Sequence, residues 1–317
     1  MNHVGATLRS SFIAVLLCAW LASASAQEVD LRFDAPRDGQ LVLYAGEQPV
    51  ATYLYRHPEM PRPALVNVFT PSGQRITREF PPTAEDDQDH AWIHAGLWLS
   101  FGDVNGHDYW RLQAPVRHKG FSDAPQSNNA RAFFTVDNDW LDSNSQHVIA
   151  REHSRYQFVI RPDGLLVNVQ FELRPVDGAL TFGLQEEMGL GVRMQSGLRV
   201  AGGSGTITNS EGRTNEHDVW GKSTDWLDYS GEVNNRRLGA LVMPSPNNPR
   251  RCWAHCRDYG VMVLNPFLRA MSEPKQTVAL GPNEPLRLHY QVLYYDVSSA
   301  DRFDPSRVYR DVWGANK

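Results

Sequence analysis

A dense cluster of chemically active side chains lies between residues 89 and 111. It holds three histidines, three aspartates and three tryptophans within 23 residues. Histidine and carboxylate groups together can donate and accept protons near neutral pH. The segment therefore predicts an acid–base site with aromatic side chains in or beside it.

Three further segments carry the same mixture of residue types. Two of them are residues 217–231 and 252–267, and the third is the adjacent pair Glu186 and Glu187. If the strand that begins at Ala179 is regular, Glu187 lies on its polar face and Glu186 on its apolar face. A bulge at the end of that strand would exchange the two carboxylates.

The elements that position these clusters are predicted to be strands. Alternating apolar and polar residues indicate half-buried strands over 165–174 and 286–294. Turn signals predict hairpins over 41–55 and 97–111, the second around Asn105-Gly106. Residues 147–184 predict a three-stranded meander.

One good helix is predicted, Pro305–Trp313, with Asp304 as its N-cap. Residues 27–317 contain no linker, no repeat and no break in composition. The sequence therefore predicts an all-β protein, a single large antiparallel β-sandwich domain over 27–317 with few short helices.

The first 26 residues predict a signal peptide. Arg9 precedes an apolar run over 12–21, and Ala24-Ser25-Ala26 is a small-x-small cleavage site. The apolar run is too short to span a bilayer. We expect cleavage after Ala26, a periplasmic or extracellular mature chain, and no membrane insertion after cleavage.

The charge balance excludes some partners. Lys and Arg number 31 against 36 Asp and Glu, a net charge of −5, which argues against nucleic acid as the main partner. No glycine-rich loop follows a strand and opens a helix, so we expect no nucleotide cofactor. The sequence does not settle the oligomeric state.

Two cysteines remain after cleavage, Cys252 and Cys256. An extended strand would hold their Cα atoms too far apart for a disulfide, whereas a bulge or helical turn would bring them into range. The alternatives are one short local bridge or two inert thiols. A zinc site with His255 would lack a fourth ligand.

A divalent metal is the alternative use of Asp89, His90 and His94. Their segment is predicted to be a strand, in which residues four apart are separated by about 13 Å. Only a turn would bring the two imidazoles together. We therefore expect no metal.

The clusters resemble the motifs of a bacterial family, the DUF6807 proteins, which are often labelled the PmoA family. The resemblance lies in residues 89–98, 101–110, 220–231 and 255–267, with Tyr109 where phenylalanine is usual. The label borrows the name of a membrane subunit of particulate methane monooxygenase. This mature chain has no apolar run near 20 residues, so we reject the monooxygenase interpretation.

The resemblance implies a supersandwich of galactose-mutarotase type in proteins associated with sugar catabolism. Aromatic faces and polar side chains recognise sugar rings and their hydroxyls. We expect a secreted carbohydrate-active enzyme that uses His/carboxylate acid–base chemistry, for epimerisation or for cleavage of a glycosidic or ketoglycoside bond. The alternative is a non-catalytic carbohydrate-binding protein with a Trp-lined groove. A scaffold protein would have these motifs dispersed in the fold.

The resemblance to mutarotase-like enzymes also suggests roles for the polar residues. The candidate acids are His94, His90 and His255, and the candidate bases are Glu187, Glu186 and Asp108. The candidate sugar-binding residues are Trp98, Asn105, Trp110, Arg111, Trp220, Lys222, Trp226, Arg257 and Tyr259. The alternatives are core packing for the tryptophans, ion pairs with arginines for the glutamates, and pairing of Arg257 with Asp258 or Asp228.

Overall fold

The computed structural model describes Met1, residues 29–267 and residues 277–314. Its framework is a sandwich of two eight-stranded antiparallel sheets, which confirms the predicted all-β fold. Apart from Met1, the predicted signal peptide lies outside the described residues. Within the described ranges, no helix is both long enough and apolar enough to cross a membrane.

The strands of each sheet come from distant parts of the chain. In spatial order, the first sheet contains β1 (Leu31–Asp34), β2 (Gln40–Ala45), β3 (Gln48–Leu54), β4 (Ala64–Val66), β5 (Leu97–Phe101), β11 (Met188–Arg193), β16 (Val261–Asn265) and β15 (Trp253–Arg257). The second sheet contains β12 (Thr206–Asn209), β13 (Leu227–Val233), β14 (Arg236–Pro244), β18 (Leu286–Ser298), β9 (Gly164–Pro175), β8 (Val148–Arg161), β7 (Arg131–Leu141) and β6 (Val116–Asn128). The remaining elements are the strand pair β10 (Leu180–Phe182) and β17 (Val278–Leu280), the helices α1 (Asn215–Val219) and α2 (Pro305–Gly314), and a 3₁₀ turn, Ser196–Leu198.

The period of two in each strand divides its side chains between two environments. In β5, Leu97, Leu99 and Phe101 enter the core between the sheets, whereas Trp98 joins a second apolar cluster on the outer face. Burying a large apolar side chain contributes about 1.5–3 kcal/mol. The shared core therefore fixes which residues of the first sheet face outward.

Several predicted elements are confirmed. The hairpin of β2 and β3 and the long strands β9 and β18 are present. Helix α2 begins after Asp304, whose Oδ1 accepts the backbone N–H groups of Ser306 and Arg307 at 3.0 and 3.2 Å. A side-chain oxygen in this position satisfies donors that the first turn of a helix leaves free.

Two predicted pairings are wrong. Strand β5 pairs with β4 and β11, and the Asn105-Gly106 turn closes only a bridge between Val104 and His107. Strand β10 pairs with β17 instead of completing a meander with β8 and β9. Asn105 ties β10 to this turn, because its Oδ1 accepts the N–H of Thr181 at 2.7 Å.

A glycine in the first sheet makes room for the largest ring on its outer face. Trp98 pairs with Gly191, Gly191 with Val263, and Val263 with His255, so these four residues form one row across four strands. A Cβ atom on Gly191 would lie 2.5 Å from the indole of Trp98. The indole therefore lies directly over the glycine.

Substitution of Gly191 by alanine is expected to force the Trp98 ring out of position and to destabilise the fold by about 1–3 kcal/mol. Urea denaturation followed by tryptophan fluorescence measures both effects. Gly120→Ala is the matched control, because no atom lies within 4 Å of a Cβ at that position. Equal stability of the two variants would contradict the packing described here.

A third apolar cluster lies on the outer face of the second sheet, beneath α2. Trp226 packs there with Tyr295 and with Val308 of the helix. The fully buried Asp228 lies beside them and accepts hydrogen bonds from Tyr295 and Ser230. Burial raises the pKa of Asp228 to about 6, against the opposing charge of Arg237.

Because Asp228 keeps its proton in the folded state up to about pH 6 but loses it near pH 3.8 when unfolded, stability is expected to fall as pH rises through this window. The loss is at most about 3 kcal/mol. Asp228→Asn cannot ionise and should lack it, as denaturation at pH 4 and pH 7 would show. The exposed Asp38→Asn is the control, and an unchanged pH profile in D228N would contradict the raised pKa.

Candidate functional site

The histidine-rich segment is a loop of turns held by one buried arginine. Arg78 donates hydrogen bonds of 2.7–3.2 Å to the backbone carbonyls of Asp87, Asp89, His90 and His94. His90 has a positive φ of 49°, and its carbonyl also accepts the N–H of His94 at 3.0 Å. The predicted strand is therefore wrong here, because Arg78 gathers carbonyls that a strand would offer to its neighbours.

This turn stacks four rings in what we call the ring column. Tyr259, His90, His94 and Trp98 follow one another with centroid separations of 6.0, 4.8 and 5.3 Å and interplanar angles of 11–24°. The edge of Trp110 meets both Trp98 and His94. The ring column therefore extends from the histidine-rich loop to the outer face of the first sheet.

His90 is the accessible histidine of the column. Its side chain is 47% exposed, and its Nδ1 lies 3.0 Å from Asp89 Oδ2. Asp89 is itself held by Arg193 at 2.7 Å. Burial raises the pKa of Asp89, but hydrogen bonding to His90 and the charges of Arg193 and Arg78 outweigh it and lower the pKa overall. An ionised Asp89 therefore directs the other nitrogen of His90, Nε2, away from the pair.

His94 lies directly beneath His90 and is 1% exposed. Neither of its ring nitrogens has a hydrogen-bond partner among the described residues. Burial, then the nearby His90 and the guanidinium charges of Arg193, Arg62 and Arg78, lower its pKa well below 6.5. His94 is therefore neutral at pH 7 and is shielded by the ring above it.

A second group, which we call the His255 cluster, lies on the same outer face at the far end of the Trp98 row. The indole of Trp220 donates to His255 Nδ1 at 3.3 Å. Burial lowers the pKa of His255, although Glu186, 3.7 Å away, acts in the opposite direction. Arg257 pairs with Glu186 at 3.2 Å and with Glu216 at 3.3 Å.

The two adjacent glutamates belong to different groups. Strand β10 ends at Phe182 and β11 begins at Met188, so no regular strand carries the predicted alternation to Glu186 and Glu187. Glu187 pairs with Arg111, which also bonds Asp108 at 2.9 Å. Each glutamate therefore pairs with an arginine, as the structural alternative predicted.

Several predicted sugar-binding residues have other roles or other places. The rings of Trp98 and Trp110 are fully buried, so their faces are closed to a ligand. Trp226 belongs to the cluster under α2, and Asn105 orders the turn that holds β10. Lys222 is exposed, and its backbone carbonyl accepts the N–H of Ala254 in β15.

Parts of three motif segments nevertheless lie on the outer face of the first sheet, whereas Trp226 and Asp228 lie on the second sheet. The ring of Tyr259, which follows β15, stacks on His90. The indole of Trp220, which follows α1, donates a hydrogen bond to His255. Sequence reasoning missed Arg78 and Arg193, both fully buried. Nothing in their local sequence distinguishes them from the chain's other arginines, because their importance comes from distant carbonyl and carboxylate partners.

The arrangement of the His, Cys, Asp and Glu side chains bears on metal ligation and on disulfide formation. Across residues 29–267 and 277–314, no group of three or more His, Cys, Asp or Glu side chains is arranged to hold a metal ion. Cys256 lies in β15 and Cys252 immediately precedes it, and both are buried free thiols. Burial raises the pKa of each thiol to about 12, which makes both inert.

Comparison with known proteins places the chain in a family. Residues 40–304 match the family described as "Family of unknown function (DUF6807)", and the chain belongs to this family. No curated protein sequence matches it.

Several solved structures are similar to this chain at low identity and low TM-score. They include a GH36 α-galactosidase from Geobacillus stearothermophilus in complex with raffinose (12% identity, TM-score 0.38, 78% of this chain and 40% of that chain). The galactosidase domain of an α-galactosidase–sucrose kinase is 13% identical (TM-score 0.45, 84% of this chain and 42% of that chain). A galactose mutarotase-like protein from Lactobacillus casei is 10% identical (TM-score 0.37, 84% of this chain and 100% of that chain). This chain spans less than half of either galactosidase chain.

The lowered pKa of His94 predicts sensitivity to acid. Unfolded His94 takes up a proton near pH 6.5 whereas the folded ring does not, so stability should fall as pH falls below 6.5. Between pH 7.5 and 5.5 this one ring should account for about 1 kcal/mol of the loss. His94→Phe keeps an aromatic ring in the column and should lose correspondingly less stability in denaturation at the two pH values. Identical losses in H94F and the native protein would contradict a neutral, buried His94.

Proposed function

We propose that the protein binds a carbohydrate on the outer face of the first sheet and exchanges protons with it through His90. The observation that carries this proposal is the half-exposed imidazole held at Nδ1 by an ionised Asp89. A carboxylate in this position fixes the tautomer and orientation of a histidine, so that the free nitrogen can act as acid or base. The reactions that fit are sugar epimerisation and cleavage of a glycosidic or ketoglycoside bond.

Tyr259 beside His90 and the groups of the His255 cluster suit a polyhydroxylated ligand. Tyr259 and Trp220 are partly exposed and offer aromatic faces. Glu186 and Arg257 are partly exposed as well and offer acceptors and donors for hydroxyl groups. His94 is better placed to support His90 by stacking than to touch the ligand, because His90 covers it.

We also propose that the mature protein works in the periplasm or outside the cell. This part of the proposal is supported by the charged start, apolar run and small-x-small site in residues 1–26.

The test is proton NMR of the purified mature protein with neutral hexoses, uronic acids, disaccharides and 3-keto-glycosides. We expect faster anomeric exchange or new products, reduced at least about 100-fold by His90→Ala, since positioned acid–base groups contribute about 10²–10⁴-fold. Asp89→Asn should reduce the rate while ligand binding persists.

His217→Ala is the matched control. Like His90, His217 pairs with an adjacent aspartate, Asp218, at 2.8 Å, but His217 lies fully exposed on α1. A rate unaffected by H90A would overturn the assigned role of His90. Selective line broadening without turnover would favour the second candidate function, a non-catalytic carbohydrate-binding protein. The partly exposed rings of Trp220 and Tyr259 favour that candidate.

A further inference from the structure

The outer face of the second sheet, on the opposite side of the sandwich, carries an unusual row of positive charge. Arg117, Asp139, Arg151 and Arg174 are direct cross-strand partners in β6, β7, β8 and β9. Lys119 of β6 also approaches Asp139, at 3.9 Å. We call these four cations, with Asp139 between them, the basic row.

The positive charges of the row exceed what its carboxylate can neutralise. Arg117, Lys119 and Arg151 all share Asp139, at 3.5, 3.9 and 4.0 Å. Like charges in directly opposed cross-strand positions are destabilising, and Arg151 faces Arg174 in this way. Stability of the sheet alone therefore does not account for this arrangement.

The carboxylate next to Arg174 is shared as well. Glu172 lies 2.5 Å from Arg174 and 2.7 Å from Arg287. The face therefore keeps more cations than carboxylates within the described residues that form it, although the whole chain has a net charge of −5. An anionic group of a ligand would neutralise the remaining positive charge of the basic row.

Protection of a sheet edge explains only part of the row. Charged side chains on an edge strand prevent pairing with other chains, and β6 is the last strand of the second sheet. This accounts for Arg117 and Lys119. It does not account for Arg151 and Arg174, which lie on the interior strands β8 and β9.

Two depressions on this face share His153. One has a volume of about 620 Å³ and is lined by Lys119, Arg151 and Arg174 of the basic row, with Asp139, Asp137 and the buried Glu152 beside them. The other has a volume of about 430 Å³ and is lined mainly by hydroxyl, amide, carboxylate, imidazole and guanidinium groups. Its lining includes Thr135, Gln170, Asn247, Asn248, Asp123 and Arg155. Both volumes lie in the range of small-molecule sites, about 300–1,000 Å³.

We propose that this face is a second binding site and that its ligand is an acidic oligosaccharide. Carboxylate groups of the ligand contact the basic row, and its hydroxyl groups contact the polar depression beyond His153. Arg151 and Arg155 mark the two depressions and lie four residues apart on β8, a span of about 13 Å, which calls for a ligand of more than one ring. The sugar class rests on the proposed function, whereas the requirement for negative charge rests on the basic row alone.

Isothermal titration of the mature protein with trigalacturonate, and with the neutral galactose trimer of the same linkage, tests this site. We expect the acidic trimer to bind at least tenfold more tightly than the neutral one, and its affinity to fall as salt concentration rises. Arg151→Met keeps most of the aliphatic stem and removes the charge. It should weaken binding of the acidic trimer at least tenfold without lowering the melting temperature, because it also removes the Arg151–Arg174 repulsion.

Arg56→Met is the matched control, since Arg56 is 61% exposed and Arg151 is 64% exposed, and Arg56 pairs with a single carboxylate elsewhere. Equal binding of the two trimers, or unchanged binding by R151M, would overturn the proposal. Complete displacement of the acidic trimer by an equal concentration of inorganic sulfate would overturn the oligosaccharide assignment. His90→Ala should leave this binding intact, so failure of one site is distinguishable from failure of the other.

Discussion

The burial of one guanidinium group determines the conformation of the histidine-rich loop on the first sheet. A charge removed from water is costly unless its donors are hydrogen-bonded, and Arg78 meets this requirement with four carbonyl groups of a single loop. Burial and the neighbouring Arg193 lower the pKa of Arg78 to about 10, so the group stays charged at neutral pH. The loop must then turn back on itself, because any extended conformation would take its carbonyls away from the charge.

Two consequences follow from this constraint. The turn stacks His90 on His94, and burial, followed by the charges of His90 and the nearby arginines, lowers the pKa of the inner ring and keeps it neutral. The carboxylate of Asp89 remains ionised between Arg193 and His90, so the outer ring is oriented at the surface. The two histidines, identical in type and four positions apart, thus have different environments, one apolar and closed, the other polar and open.

The sequence predicted what depends on local pattern. Alternation revealed β9 and β18, and the N-cap revealed the start of α2, because these signals lie within a few residues of each other. It did not predict the turn at residues 89–94, which depends on an arginine more than ten positions earlier. It also placed Trp226 in the candidate site, because a motif in the chain carries no information about which face of which sheet receives it.

In the candidate site, too, local sequence indicated the residue types, whereas contacts between distant residues decided their exposure. Residue types made His90, His255 and Glu186 candidate acid–base groups, and each lies beside a partner of opposite charge or a hydrogen-bond donor. The selection among the histidines was beyond the sequence, because exposure decides it. His94 has the right chemistry but lies under another ring, and Trp98 and Trp110 are fully buried whereas Trp220 is partly exposed.

The thiols of Cys252 and Cys256 have a consequence for where this fold can exist. Cys256 in β15 and Cys252 just before it lie within the shared core as free thiols, so neither bond formation nor reduction at these positions is part of reaching the native state. Burial of apolar side chains between the sheets supplies the stabilisation that small extracellular domains obtain from covalent cross-links. The same sandwich can therefore form in an oxidising or a reducing medium, and its folding does not have to wait for disulfide exchange.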